Sequence, residues 1–151
     1  MSKKPERSDG IDPAARSRSR RRALQALYAW QIAPRPMERV IDEFAHEQEM
    51  EIADLGYFKD LLIGIERERL AIDAKLTPFL DRELEQVDPI ERGVLRIAAY
   101  ELLYRADVPY RVVINEAIEI ARRFGADFGH TYVNGVLDKA AAEWRAVEYR
   151  R

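Results

Sequence analysis

Arg16, Arg18, Arg20, Arg21 and Arg22 fill five of seven consecutive positions. Guanidinium groups at that density do one kind of chemistry well. They hold phosphate oxygens through forked, charge-assisted hydrogen bonds. The charge balance makes the feature local. Residues 1–22 carry eight basic and three acidic side chains, a net +5 on a chain of net −2, so the remainder is −7. A basic segment on an acidic body points to one polyanion site, the alternative being a solvated, frayed terminus. Tyr28 follows on the same helical run. A ring beside cations suits single-stranded RNA, whose bases stack on aromatic faces; the other reading of Tyr28 is a core residue with its hydroxyl at the rim.

The spacing narrows the reading. At about 100° per residue, Arg16 and Arg20 fall on one side of a helix, with Arg18 and Arg22 nearly opposite. A major-groove recognition helix concentrates its contacts on one face. The scatter fits backbone contacts to a flexible strand. It also carries a cost: Arg16/Arg20 and Arg18/Arg22 are like-charge i,i+4 pairs, each unfavourable by about 0.2–0.5 kcal/mol. They sit where the helix dipole disfavours cations. A bound phosphate backbone would relieve both effects.

Catalysis has little to work with. The histidines are His46 and His130. His46 falls on the polar side of a helix, and His130 reads as part of a loop, Gly129-His130-Thr131, that caps the last helix. No P-loop, G-x-G-x-x-G, G-x-S-x-G or H-E-x-x-H motif is present. The absence of cysteine removes disulfides, thiolate zinc sites and a cysteine nucleophile, and fits a reducing cytoplasm. Glu66-Arg67-Glu68-Arg69 alternates in sign, as solvated helix faces do. We expect no enzyme, no metal and no cofactor. No apolar run approaches the roughly 20 residues of a membrane span. The first ten residues lack a signal-peptide core, so the expected location is cytoplasmic.

The elements that position these groups are helical throughout. Residues 1–11 are polar and read as a disordered basic tail. Asp12-Pro13 reads as a cap followed by proline at the first helical position, and Pro34-Arg35-Pro36 as the end of that helix. Met37, Val40, Ile41 and Phe44 mark a second helix. Asp54 caps a third, with Leu55, Phe58, Leu61, Leu62, Ile65, Ile72 and Leu76 inward. Gly64 inside it implies close approach by a neighbour. Thr77-Pro78 opens a short helix carrying Leu80 and Leu84.

Asp88-Pro89-Ile90-Glu91 resembles a capping box and starts an apolar, central helix. Val108-Pro109 interrupts the pattern. The next helix runs to Phe124, with Gly125 as its C′ residue. The last carries Val133, Val136, Leu137, Ala140, Ala141, Trp144 and Val147. The expected fold is all-α, with about seven helices in two small helical-bundle subdomains sharing a core. One domain spans 12–148, divided near residue 77 into parts of about 12–77 and 78–148.

The spaced blocks Gln25-Ala26-Leu27-Tyr28, Val94-Leu95-Arg96-Ile97-Ala98, Ile114-Asn115-Glu116-Ala117-Ile118-Glu119 and Val133-Asn134-Gly135-Val136-Leu137-Asp138-Lys139 closely resemble the NusB family of bacterial transcription antitermination factors. The resemblance spans about residues 14–142. It implies an adaptor that binds boxA RNA together with the ribosomal protein NusE. The pair joins RNA polymerase and other Nus factors in transcribing ribosomal RNA operons. On matching positions it implies RNA contacts from Arg16, Arg18 and Arg20. It places Tyr28 and Glu91 at or near the RNA and NusE surfaces, and adds Arg82, Arg96 and Tyr132 as RNA candidates.

Arg96 has a second reading as the partner of a neighbouring carboxylate, and Glu91 as a capping-box residue. Arg21 and Arg22 extend the basic run beyond the family motif. Phe128, in Asp127-Phe128-Gly129, stands where some relatives carry an acid. NusB-like domains also precede ribosomal RNA methyltransferase domains, for which a chain ending at Arg151 leaves no room. The alternative function is a protein-only interaction module or homodimer without RNA binding. If about five phosphates are neutralised, the log–log salt slope is near −3.5. On this reading, changing Arg16, Arg18 and Arg20 together to alanine weakens RNA binding and leaves circular dichroism and melting nearly unchanged.

Overall fold

The computed structural model describes residues 11–151 and, among them, contains helices and turns but no strand. The tail expected over 1–11 falls, up to residue 10, outside the described residues. Seven α-helices follow in order: α1 (Pro13–Ile32), α2 (Met37–Ala45), α3 (Leu55–Leu76), α4 (Pro89–Tyr104), α5 (Tyr110–Phe124), α6 (Gly129–Trp144) and the single-turn α7 (Ala146–Tyr149).

Local chemistry accounts for the boundaries. Asp12 Oδ1 accepts from the amides of Ala14 (3.0 Å) and Ala15 (3.3 Å), with Pro13 at the first position of α1. Arg35 turns back to donate to the carbonyls of Ala33 (2.7 Å) and Ala29 (3.3 Å), covering the C-terminal end of α1. Asp54 caps α3 through the Tyr57 amide (3.0 Å). Ser19, fully buried on α1, ties the two helices together. It accepts from the Asp54 amide at 2.9 Å, and its oxygen lies 2.7 Å from the Asp54 carbonyl.

α4 is the central element, buried from Gly93 to Leu102. It packs against α1 and α3 on one side and α5 and α6 on the other, and α2 covers α1 and α3. Phe58, Leu61, Leu62 and Ile65 of α3 meet Leu24 and Leu27 of α1 and Leu95 of α4 in one continuous core, which Leu137 and Ala141 of α6 extend. Arg145, just after α6, closes the far end of α4. Its guanidinium donates to the carbonyls of Leu102 (2.8 Å), Glu101 (3.1 Å), Arg105 (3.0 Å) and Val108 (3.0 Å).

Several expectations need correction. The short helix expected after Thr77-Pro78 is two separate 3-10 turns, Thr77–Phe79 and Leu84–Gln86, so Leu80 and Leu84 share no helix. Leu80 and Glu83 take extended backbone, which keeps the two turns apart. The last helix stops at Trp144 because Arg145 leaves helical geometry to reach the α4 carbonyls, and Val147 is left exposed. A 3-10 segment at Gln48–Ile52, unforeseen, buries Met50. Gly125 ends α5 in extended geometry, not the left-handed conformation of a C′ glycine.

Gly64 has the reason expected of it. A Cβ there would run into the ring of Tyr100 on α4, whose hydroxyl is held by Asp60 at 3.1 Å. Gly64→Ala is expected to destabilise the fold by about 1–3 kcal/mol through overpacking. A urea midpoint equal to that of the unsubstituted chain would contradict this packing.

Candidate nucleic-acid interface

Helical phase sorts the arginine cluster into two populations. Arg20 is buried, 3% exposed, between four helices. Its Nε and Nη2 donate to the two carboxylate oxygens of Glu101 on α4, at 2.9 and 2.8 Å, and Nη1 donates to Glu116 on α5 at 3.0 Å. The Tyr57 hydroxyl from α3 donates to the same Glu101, and Ser17 donates to Glu116. Burial opposes the Arg20 charge, but the Glu101 hydrogen bonds and attraction outweigh it, so the guanidinium is held above its ordinary pKa. Burial, then the Glu101 carboxylate, pushes the Tyr57 hydroxyl up.

Two more cluster members are drawn inward. Arg16 stacks 4.2 Å from the Tyr57 ring centre and lies 3.7 Å from Asp107. Arg105 approaches the same ring at 4.8 Å and forks onto Asp107, both contacts at 3.0 Å. Arg22 pairs with Glu47, donates to Gln25 and lies over Phe44 at 5.2 Å. The i,i+4 repulsion within the cluster is therefore met by carboxylates of the protein itself. The sequence reading assigned that task to bound phosphate.

Arg18 and Arg21 differ. Among the described residues Arg18 makes one hydrogen bond, to the Ile52 carbonyl at 3.2 Å. Arg21 has no hydrogen bond or ion pair among the described residues. Burial, followed by the nearby Arg123, holds its pKa below the ordinary arginine value, with Glu116 opposing. Arg18, Arg21, Arg22, Gln25, Ile52, Arg123 and Phe124 line a cleft of about 320 Å³ between α1 and the end of α5. The sequence reading missed Arg123. The Arg122-Arg123 doublet closing an amphipathic helix was the available signal.

The remaining predicted residues scatter. Tyr28 is 42% exposed on α1. Arg96 is buried; it forks onto Asp73 at 3.0 and 2.9 Å and donates to Gln31 at 2.8 Å, so its donors serve the fold. Arg82 is exposed, pairs with Asp81 at 2.8 Å and lies over the Tyr132 ring at 5.0 Å. Arg82 and Tyr132 line a second pocket, of about 230 Å³, with Glu91 and Phe128. No residue lines both pockets.

Glu91 is 3% exposed and does not complete a capping box. Asp88 caps the Ile90 amide at 2.9 Å, while Glu91 Oε1 accepts from the Ala126 amide across the α5–α6 loop at 3.2 Å. A Cβ on Gly125 would come within 2.9 Å of that oxygen, and one on Gly129 would collide with it. Contact-level partner binding by Glu91 is thus at odds with its burial. Phe128 is 79% exposed and takes a left-handed conformation (φ 66°) at the start of α6. Gly129 is the first residue of α6, so His130 lies in its first turn and does not cap it.

A model of the NusB family matches residues 17–142. The chain belongs to the NusB family. Among its relatives is the transcription antitermination protein NusB of Xanthomonas axonopodis pv. citri (strain 306), 67% identical over 142 residues, which cover 94% of this chain and 89% of the relative. The Xanthomonas oryzae pv. oryzae (strain PXO99A) protein of the same name is also 67% identical, with 91% of its length covered. Among solved structures, T. maritima NusB superposes with a TM-score of 0.76 at 33% identity, covering 85% of this chain and 91% of that one. The structure of antitermination factors NusB and NusE in complex with dsRNA also matches at 0.76. At 21% identity, over 88% of this chain and 98% of that one, it speaks for the fold.

Two outcomes follow. Arg20→Ala is expected to cost about 3–5 kcal/mol by leaving Glu101 buried and unpaired, whereas Arg18→Ala stays within about 0.5 kcal/mol. Urea denaturation measures both. The combined alanine variant at Arg16, Arg18 and Arg20 therefore loses stability, reversing the sequence-based expectation.

The second outcome concerns pH. Burial, then the Asp88 carboxylate, pushes Glu91 from 4.5 up to about 7. An acid raised on folding contributes stability as pH falls through the folded value. Glu91→Gln should be more stable than the unsubstituted chain at about pH 8, with the difference shrinking between about 7 and 5. A difference that stays constant with pH would count against this.

Proposed function

We propose that this chain is a non-catalytic RNA-binding adaptor of transcription antitermination. It binds single-stranded boxA RNA together with NusE and acts in the cytoplasm. There it joins RNA polymerase and other Nus factors on ribosomal RNA operons. The observation that carries the reading is that Arg21 has no ion-pair partner among the described residues, beside the lightly committed Arg18, in a helix that neutralises Arg16, Arg20 and Arg22 internally. Unpaired arginines at a cleft are free to neutralise a polyanion. Family membership supports the role, as does the NusB–NusE–dsRNA complex solved for a chain of the same fold. No helix among the described residues is long and apolar enough to cross a membrane.

In this reading the phosphates are met by Arg18 and Arg21, with Arg16 and Arg22 at the edge of the surface. Tyr28 offers a ring to a base. Arg82 and Tyr132 form a second contact region, with Phe128 beside them. Arg20 and Arg96 act as positioning residues. Phosphate contacts set the strand's register, and aromatic and edge contacts shared with NusE choose the bases. Glu91 supports the loop that faces the partner.

The test is a titration of labelled boxA RNA, single- and double-stranded, with and without NusE. With about three phosphates neutralised, the log–log salt slope is near −2, a fall of about 15-fold between 50 and 200 mM salt. Absence of RNA binding in every arm would favour a protein-only module or homodimer.

A further inference from the structure

We infer that the cleft between α1 and the end of α5 seats one backbone phosphate of the bound RNA, gripped jointly by Arg21 and Arg123. The inference rests on the RNA-binding reading and deepens it. It adds a phosphate-gripping residue from α5 to the α1 arginines of that reading.

The geometry separates this pair from the other arginines nearby. Arg16, Arg20, Arg22 and Arg105 each meet a carboxylate. Among the described residues neither Arg21 nor Arg123 does. The recorded contact of Arg123 is with the neighbouring Phe124 ring, at 5.8 Å. The carboxylate closest in charge terms to Arg21 is Glu116, and its oxygen is already taken by Arg20 and Ser17. Two guanidiniums on different helices thus line one cleft whose own lining holds no acidic residue, while Glu116 and Glu119 lie with the same pair in an adjoining depression. Such a pair is repulsive when empty and attractive around a shared anion. Arg123 sits in the last turn of α5, where the helix dipole favours a cation, so the residue is held there at little cost to the fold.

The cleft is also built for more than a free ion. Phe124 and Ile52, the latter 59% exposed, add apolar surface to its lining. A sugar or base attached to the phosphate finds a surface there, and the Gln25 amide lies alongside. Arg18, also in the lining, commits one donor among the described residues, to the Ile52 carbonyl. Phosphate flanked by a ring and an amide is the chemistry of one nucleotide in a strand.

Binding of single-stranded boxA RNA is measured across a salt series for the unsubstituted chain, Arg21→Gln, Arg123→Gln and the double variant. Arg39→Gln, an exposed α2 substitution, is the control. Circular dichroism and melting verify that each variant is folded. Each single change is expected to weaken binding about 5-fold near 0.1 M salt and to reduce the slope by about 0.7. Because one phosphate is shared, the double variant loses little more than either single one.

Binding by the unsubstituted chain with Arg123→Gln unaffected would overturn this inference and leave the RNA-binding reading standing. Additive losses in the double variant would overturn the shared seat. Broadening of the inorganic phosphate ³¹P signal that Arg123→Gln abolishes, with RNA affinity unmoved, would assign the cleft to the free ion instead. No RNA binding by the unsubstituted chain would overturn both readings.

Discussion

The buried pairing of Arg20 with Glu101 is the interaction on which the rest of the arrangement depends. It joins the first helix to the central one, and its neighbours bring in the other two: Tyr57 from α3 and Glu116 from α5. A buried ion pair of this kind is not in itself a large source of stability, because desolvation offsets most of the attraction. Its value is geometric. The forked guanidinium accepts one arrangement of carboxylates, and that arrangement sets the rotation of α1 about its own axis. Once Arg20 faces inward, the placement of every other arginine on the helix follows.

That rotation explains how a cation-rich segment can begin a stable helix against its own dipole. Arg16 and Arg105 share the Tyr57 ring and the Asp107 carboxylate, and Arg22 finds Glu47 beyond α2. These contacts belong to the protein and exist without any ligand. What remains on the outer arc of α1 is a smaller set of charges, with Tyr28 further along and the end of α5 alongside. The surface available to a polyanion is therefore built from two helices, although one segment dominates the sequence.

How far this was legible depended on the range of the interactions. Helix starts at Pro13, Leu55 and Pro89 were readable because an aspartate cap immediately precedes each, joined at the first and third by proline. Gly64 announced a close approach because glycine in a helix interior is unfavourable without one. The fate of Arg20 was hidden. Its carboxylates lie 81 and 96 positions away, and nothing local separates it from Arg18 or Arg21. Glu91 showed the same limit: its spacing fitted a capping box, but the Ala126 amide across the bundle claimed it. Gly125 was expected for its left-handed freedom. It is required by the nearness of the Ala121 carbonyl and the Glu91 carboxylate. Arg123 escaped notice because charge at the end of an amphipathic helix is ordinary until the partner helix is in place.

The fork at Arg20 also divides the cluster by the kind of exchange it tolerates. Lysine carries the same charge but presents a single ammonium, which cannot span two oxygens of one carboxylate while reaching a second. At Arg20 that swap removes the bridge. At Arg18 and Arg21, where charge matters more than shape, lysine keeps much of the attraction to a strand. Related chains should therefore drift between the two basic residue types on the outer arc and hold arginine at the inner position. The pattern of drift would separate scaffold from contact surface in a segment that otherwise looks uniform.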